Sequence, residues 1–386
     1  MKAKSIKGKS PEEIQSMLQQ AKSDGFRPTL AIVFVSVKQD RKAVCRILSK
    51  EGIDVFGATS CGEFIDGFQT EGGAAILLLD IHKHAYSILF EEIGNRTIQE
   101  TAQRLAHAAL LQYTSPCMLL CSTGVNTKGE YFEGQTFINT LKQYFGNDQL
   151  FFGGMAGDDM SFTGSYVFTQ EKETDYGVAA IVFDKEKIAM TGMAITGWKP
   201  MGIARTVTKS SGNKLFSIDN ISAVDMYFKY LGKEDKSGDK DFKVFEELGF
   251  TYPFITEREP GGDMVLKTPL HVDHNEKALV LDMEMPEGTK MWFSMPPDFD
   301  IVDEILEEAT QLKNSNMSDA DALLIFSCAG RQPVLGPLVT AENDGLANLW
   351  QTPMAGFFTY GEFGRTKKGK QEFHSGACCW VALKEK

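Results

Sequence analysis

The run IDVFGATSCGEF, residues 53–64, decides how the rest of the chain is read. It is an apolar stretch of strand length that enters Gly57 and, after four more residues, reaches Gly62-Glu63-Phe64. Continuous apolar sequence of this length is expected of a strand covered on both faces. Small residues at its end let the backbone turn where side chains would clash. Working outward, residues 29–36 (TLAIVFVS) form a second apolar strand, and residues 41–51 carry Val44, Ile47 and Leu48 at helical spacing. Downstream, residues 73–80 and 85–91 are expected to pair as the two strands of a hairpin.

The same order returns twice. Residues 117–122 give an apolar strand, 134–144 a helix, and LFFGGMAGDD (150–159) an apolar run ending in glycines and acids, followed by strands at 166–169, 177–183 and 188–195. Near the C-terminus, residues 322–328 give the strand and a looser segment fills the helix position. MAGFFTYGEFG (354–364) repeats the G-x4-G-E-F spacing, and 371–383 is expected to close the unit as one strand. The predicted class is therefore α/β, with mixed β-sheets flanked by helices and repeated strand–helix–glycine-turn–hairpin units. Between the second and third copies, residues 203–209 and 214–218 read as a hairpin, 222–231 as a short helix, and 232–243 as a charged surface loop. Residues 296–312 open a helix with acids in its first turn.

At 386 residues the chain exceeds one ordinary core and is expected to divide. A net charge of −12 argues against nucleic acid or an anionic membrane as partner. The basic start, MKAKSIKGKS, is followed by an amphipathic helix at 11–22 rather than an apolar segment, so no signal peptide is expected and the location is expected to be cytoplasmic. The seven cysteines lie mostly in apolar runs and read as reduced, buried thiols. Cys117 and Cys121 lack the spacing of a zinc site.

Five segments occur together and in order: GATSCGEF, FFGGMAGDD, GWKPMG followed by VTKSSGNKLFSIDN, FSCAGR, and GFFTYGEFG followed by FHSG. In this the chain resembles the FIST family over nearly its whole length. The corresponding division is an N-terminal helix at 1–27, a FIST N-terminal region at 28–220 and a FIST C-terminal region at 221–386. The resemblance implies a stand-alone bacterial sensory protein that binds a small ligand such as an amino acid. A subset of the family implies a second possibility, a haem-binding nitric oxide sensor acting on a histidine kinase.

The glycine turns supply the candidate ligand site: Gly57, Ser60, Cys61, Gly62 and Glu63 in the first copy, Gly154, Gly157, Asp158 and Asp159 in the second, Thr359, Gly361 and Glu362 in the third. A carboxylate beside glycine N–H groups can hold the two charged ends of an amino acid. It can equally accept hydrogen bonds from its own turn and fix it. Arg331 can clamp a carboxylate or form a salt bridge. Cys61 has no histidine near it in sequence, so a nucleophilic role lacks its base, and no catalytic constellation is found. If haem binds, His271, His274 and His107 are the axial candidates. Neither a phosphate loop nor a dinucleotide fingerprint is present in GGMAG.

Overall fold

The computed structural model describes residues 1–146, 150–257 and 263–386. It forms two compact units. The larger takes residues 1–195, 302–329 and 337–386, and the smaller residues 196–301 and 330–336.

The larger unit is built from one motif used three times. The first copy runs β1 (Lys2–Gly8), α1 (Pro11–Lys22), β2 (Leu30–Ser36), α2 (Arg41–Lys50), β3 (Asp54–Ser60), β4 (Glu63–Ile65), β5 (Phe68–Thr70) and β6 (Ala74–Asp80). The second runs β7 (Tyr86–Glu92), α3 (Ile98–Gln112), β8 (Pro116–Ser122), α4 (Gly134–Phe145), β9 (Phe151–Met155), β10 (Val167–Thr169), β11 (Glu173–Thr174) and β12 (Gly177–Asp184). The third opens with β13 (Ile188–Ile195), and the smaller unit is inserted into the chain there. That unit holds β14 (Lys199–Ser211), β15 (Lys214–Ile218), β16 (Ile221–Ser222), α5 (Ala223–Tyr230), β17 (Phe254–Glu257), β18 (Met264–Lys267), β19 (Pro269–Asp273), β20 (Ala278–Leu281) and β21 (Lys290–Met295). The third copy resumes with α6 (Ile301–Asn316) and β22 (Ala322–Cys328); the short α7 (Arg331–Leu335) that follows in the chain belongs to the smaller unit, and the copy continues with α8 (Leu338–Trp350), β23 (Met354–Thr359), β24 (Glu362–Arg365), β25 (Gln371–His374) and β26 (Cys378–Glu385).

Three six-stranded mixed sheets result, with the orders β1-β6-β2-β3-β10-β11, β7-β12-β8-β9-β24-β25 and β13-β26-β22-β23-β4-β5. Their orders correspond term by term. In each, two central strands are parallel (β2 with β3, β8 with β9, β22 with β23) and the strand beside them is antiparallel. The short strands after each glycine turn leave their own copy and pair in another sheet: β4 on β23, β24 on β9, and β10 on β3. The outermost strand on the other edge stays within its own copy, with β7 on β12 and β13 on β26. β1 fills the same place on β6, and the N-terminal ammonium pairs with Glu385 at the other end of the chain.

This corrects several sequence expectations. Residues 73–80 and 85–91 are strands but not a hairpin, because β6 lies in the first sheet and β7 in the second. Residues 371–383 are two strands in different sheets, β25 and β26. The first residues form the edge strand β1 before the expected helix at 11–22. The looser segment of the third copy contains the 13-residue helix α8.

The double burial foreseen for the central strands has a direct cause. Leu30, Ile32 and Phe34 of β2 point into a core shared by all three sheets, with Leu119 and Phe152 from the second copy and Phe326 and Phe357 from the third. Phe34 stacks on Phe357 with ring centroids 4.4 Å apart. Ala31, Val33 and Val35, alternating with them, face the layer of α1 and α2. Each fully buried Phe or Leu here contributes roughly 1.5–3 kcal/mol through area removed from water. In the smaller unit, β14 to β21 form a sheet of eight strands around Tyr227, Phe254 and Phe293.

Candidate functional site

The three exchanged turns meet at the carboxyl ends of β3, β9 and β23. Ligands of open α/β sheets sit at such strand ends. The backbone closes the ring. Cys61 N donates to the Phe358 carbonyl (2.9 Å) and Phe358 N to the Gly62 carbonyl (2.9 Å); Met155 N donates to Gly361 O (2.8 Å) and Tyr360 N to Met155 O (3.1 Å). Gly157 N donates to Thr59 O (2.9 Å) and Asp159 N to Ser60 O (2.9 Å). Twelve of the thirteen residues singled out in the glycine turns and at Arg331 therefore come together in the larger unit. Arg331 belongs to the smaller unit, where its guanidinium, fully buried, donates to the Thr196 carbonyl (2.7 Å) and lies over the Trp198 ring.

Close approach explains the glycines. A Cβ on Gly57 would overlap the Phe168 ring of the second copy, one on Gly154 the Thr359 methyl, and one on Gly157 the Cys61 sulfur. Each position is small because another copy's turn crosses it.

Glu63 and Glu362 occupy equivalent turns with equivalent bonds. Glu63 accepts from the Ser60 hydroxyl and from Gly73 N (3.0 Å). Glu362 accepts from the Thr359 hydroxyl (2.5 Å) and from Ala377 N (3.0 Å). Both are fully buried. Each carboxylate ties the end of its central strand to the start of the antiparallel strand beyond, so both fix turns. Burial pushes the Glu63 carboxyl up to about 7, against the two hydrogen bonds that favour its charged form.

Asp158 organises the loop at 158–165. It accepts from Phe162 N (3.1 Å), Thr163 N (2.6 Å), Gly164 N (2.9 Å) and the Tyr360 hydroxyl. Asp159, Met160 and Phe162 in this loop adopt φ of 55°, 61° and 53°, a conformation that non-glycine residues hold only under surrounding constraint. The Phe162 ring stacks on Tyr360, 5.0 Å between centroids. Asp159 reaches outward instead: it accepts from Ser36 Oγ (2.8 Å) and pairs with Lys38 Nζ (3.1 Å), whose side chain is 75% exposed.

At the centre sit Cys61, Gly157 and Tyr360, one from each copy. Burial pushes the Cys61 thiol up to about 12, and the Tyr360 hydroxyl is driven far up by burial and by Cys61 and Asp158. A thiol held protonated is a poor nucleophile. Sequence reading missed the roles of Tyr360, Phe162, Ser36 and Lys38. Tyr360 aligns with Cys61 and could have been found from the repeat; the others are delivered by tertiary exchange and carry no local signal.

The haem candidates lie elsewhere. His107 is exposed on α3 with its ring edge-on to Tyr144 (5.1 Å), His271 is exposed on β19, and His274 is half-buried in the turn that follows. An axial imidazole must face an apolar pocket; the rings of His107 and His271 are exposed and that of His274 is half-buried. Among the described residues, no group of three or more His, Cys, Asp or Glu side chains is placed to hold a metal. No described helix is long and apolar enough to cross a membrane.

Compared with known proteins, the chain matches the FIST N domain over residues 29–221 and the FIST C domain over residues 223–365. No curated protein shows significant similarity to it.

Proposed function

The chain belongs to the FIST family, whose domains are associated with sensory and signal-transduction roles and with small-ligand binding; from that premise we propose that it is a cytoplasmic bacterial sensor of a small zwitterion such as an amino acid. The supporting observation is the meeting of three strand ends beneath a constrained loop, with one partly exposed ion pair, Asp159–Lys38, at its surface. A free amino acid carries the same two charges. Its ammonium replaces Lys38 at Asp159 and its carboxylate takes Lys38, while the buried Glu63, Asp158 and Glu362 hold the turns in place. Occupancy changes the loop at 158–165, and a partner such as a histidine kinase reads that change.

The test is a thermal-shift panel of the twenty amino acids against the whole chain. At least one raises the midpoint, and Asp159→Asn removes the rise. A rise of equal size in Asp159→Asn and in Glu63→Ala takes these residues out of the site. The proposal includes no catalytic role, which the protonated Cys61 supports. The haem-sensing alternative is decided by one absorption spectrum after incubation with haem: without a Soret band it falls.

A further inference from the structure

The threefold repetition supplies an internal control. What packing alone demands at a position is shown by the other two copies, so a departure in one copy calls for another cause. The second helix of each copy buries residues at i, i+1 and i+4 against its sheet: Val44, Cys45 and Leu48 in α2, Phe137, Ile138 and Leu141 in α4, but Glu342, Asn343 and Leu346 in α8. The sheet beneath departs too. Ser36 N, Thr123 N and Cys328 N donate to the carbonyls of Gly73, Gly177 and Ala377, which aligns the three antiparallel strands. Three residues on stand Ile76, Ala180 and Trp380. At these aligned positions the third copy alone places a carboxyl and a carboxamide on the helix and an indole on the strand beneath.

Its polar atoms are also unanswered. Both amide atoms of Asn343 (2% exposed), Nε1 of Trp350 (3%), Nε1 of Trp380 (0%) and Oγ of Ser327 (0%) have no hydrogen-bond partner in the protein. The two indoles are neighbours, 5.8 Å between centroids. Buried polar groups are as a rule paired, and a group of them without partners is a site prepared for something that brings the partners.

We propose that the third copy binds a small neutral planar amide or lactam between α8 and its sheet. Indole N–H groups only donate, so the ligand must present carbonyl acceptors; the Asn343 amide both donates and accepts, which a carboxamide or lactam edge returns in kind. Lys313 Nζ already lies over the Trp350 ring, 5.5 Å from its centroid, donating to the Leu349 carbonyl, and the buried Glu342 carboxyl adjoins Asn343; a neutral ligand adds no further charge to this enclosed layer, where an added charge is costly. The indole faces accept a flat ring. Because the four groups are enclosed, entry requires α8 to lift from the sheet, so binding is coupled to movement of a helix. This site is independent of the Asp159–Lys38 surface and does not rest on that reading.

The experiment titrates the whole chain with nicotinamide, benzamide and uracil, reading tryptophan emission and the thermal midpoint, with nicotinate as the charged control. At least one neutral amide shifts the emission and raises the midpoint, and nicotinate does not. Asn343→Ile, which restores the residue of the second copy, abolishes both responses and raises the ligand-free midpoint. Trp380→Phe, which keeps a ring and deletes the N–H, weakens binding roughly tenfold, the effect of one lost buried hydrogen bond. Asp159→Asn leaves the responses intact. If none of the three amides shifts the emission, or if the responses survive at full size in Asn343→Ile and Trp380→Phe, the site does not exist. A response lost only in Asp159→Asn assigns binding to the strand-end surface instead.

Discussion

Glu63 makes stability depend on pH with the opposite sign to an ordinary surface carboxylate. Its carboxyl is fully buried, and burial pushes its pKa from 4.5 to about 7. The folded chain therefore binds this proton more tightly than the unfolded chain. The associated stability is fully present below pH 4.5 and is lost as the pH rises through 7. The gap of about 2.5 between the two values, at about 1.36 kcal/mol for each, amounts to about 3 kcal/mol. Glu63→Gln carries no charge at any pH and can keep both bonds, accepting from Gly73 N and donating to Ser60 Oγ. Urea unfolding of both proteins followed by circular dichroism at pH 5, 7 and 8.5 measures the difference. At pH 5, where the unfolded carboxyl is already mostly ionised, the variant is expected to lead by a little under about 1 kcal/mol. By pH 8.5 the lead is expected to reach about 3 kcal/mol, more than half of it already present at pH 6. Curves that stay parallel across the range, within about 0.5 kcal/mol, would refute the argument that burial governs this group.

Other perturbations probe other levels of the fold. Gly157→Ala drives a methyl into the Cys61 sulfur and within 3.0 Å of its backbone nitrogen, so the thermal midpoint is expected to fall sharply; adding Cys61→Ala should restore part of the loss, and no restoration would place the clash elsewhere. Thr97→Ala removes the capping box of α3, in which Thr97 and Glu100 bond each other's backbone, and should cost about 1 kcal/mol in urea unfolding. Cys61, pushed up to about 12, is expected to react with iodoacetamide at pH 7.5 far more slowly than a free thiol, followed by mass spectrometry; rapid labelling would reopen a catalytic role. Lys142→Met removes the ammonium 3.1 Å from the Glu372 carboxylate, 3% exposed, and should cost about 1.5–3 kcal/mol in urea unfolding, the worth of a hydrogen bond to a charged group.

Much of this was legible in the residues because the repeat is carried by the positions where it matters. The apolar runs at 30–36, 116–122 and 322–328 announce strands covered on both sides, and the G-x4-G-E-F spacing marks where copies cross. What escaped was the partner of each crossing strand. Nothing in residues 73–91 says that β6 and β7 part company, since a strand's alternation records that a face is buried and not by which sheet. The reading of Glu63 and Glu362 as either ligand groups or turn holders needed coordinates, because a buried acid looks alike in sequence in both cases. α8 went unseen for a related reason: Glu342 and Asn343 interrupt the apolar spacing that reveals α2 and α4.

The traded strands also decide where the polypeptide can be severed. A cut in the tight loop at 185–187 yields a front piece holding β4 and β5, which have lost their neighbours, and a rear piece whose sheet lacks that very edge; the rear piece in turn keeps β24 and β25, which the front piece's second sheet requires. Each fragment thus displays the template for what the other carries. Made separately, the two should be sticky and poorly soluble; mixed, they should knit into one particle, because the only complete set of edges is the one they form jointly.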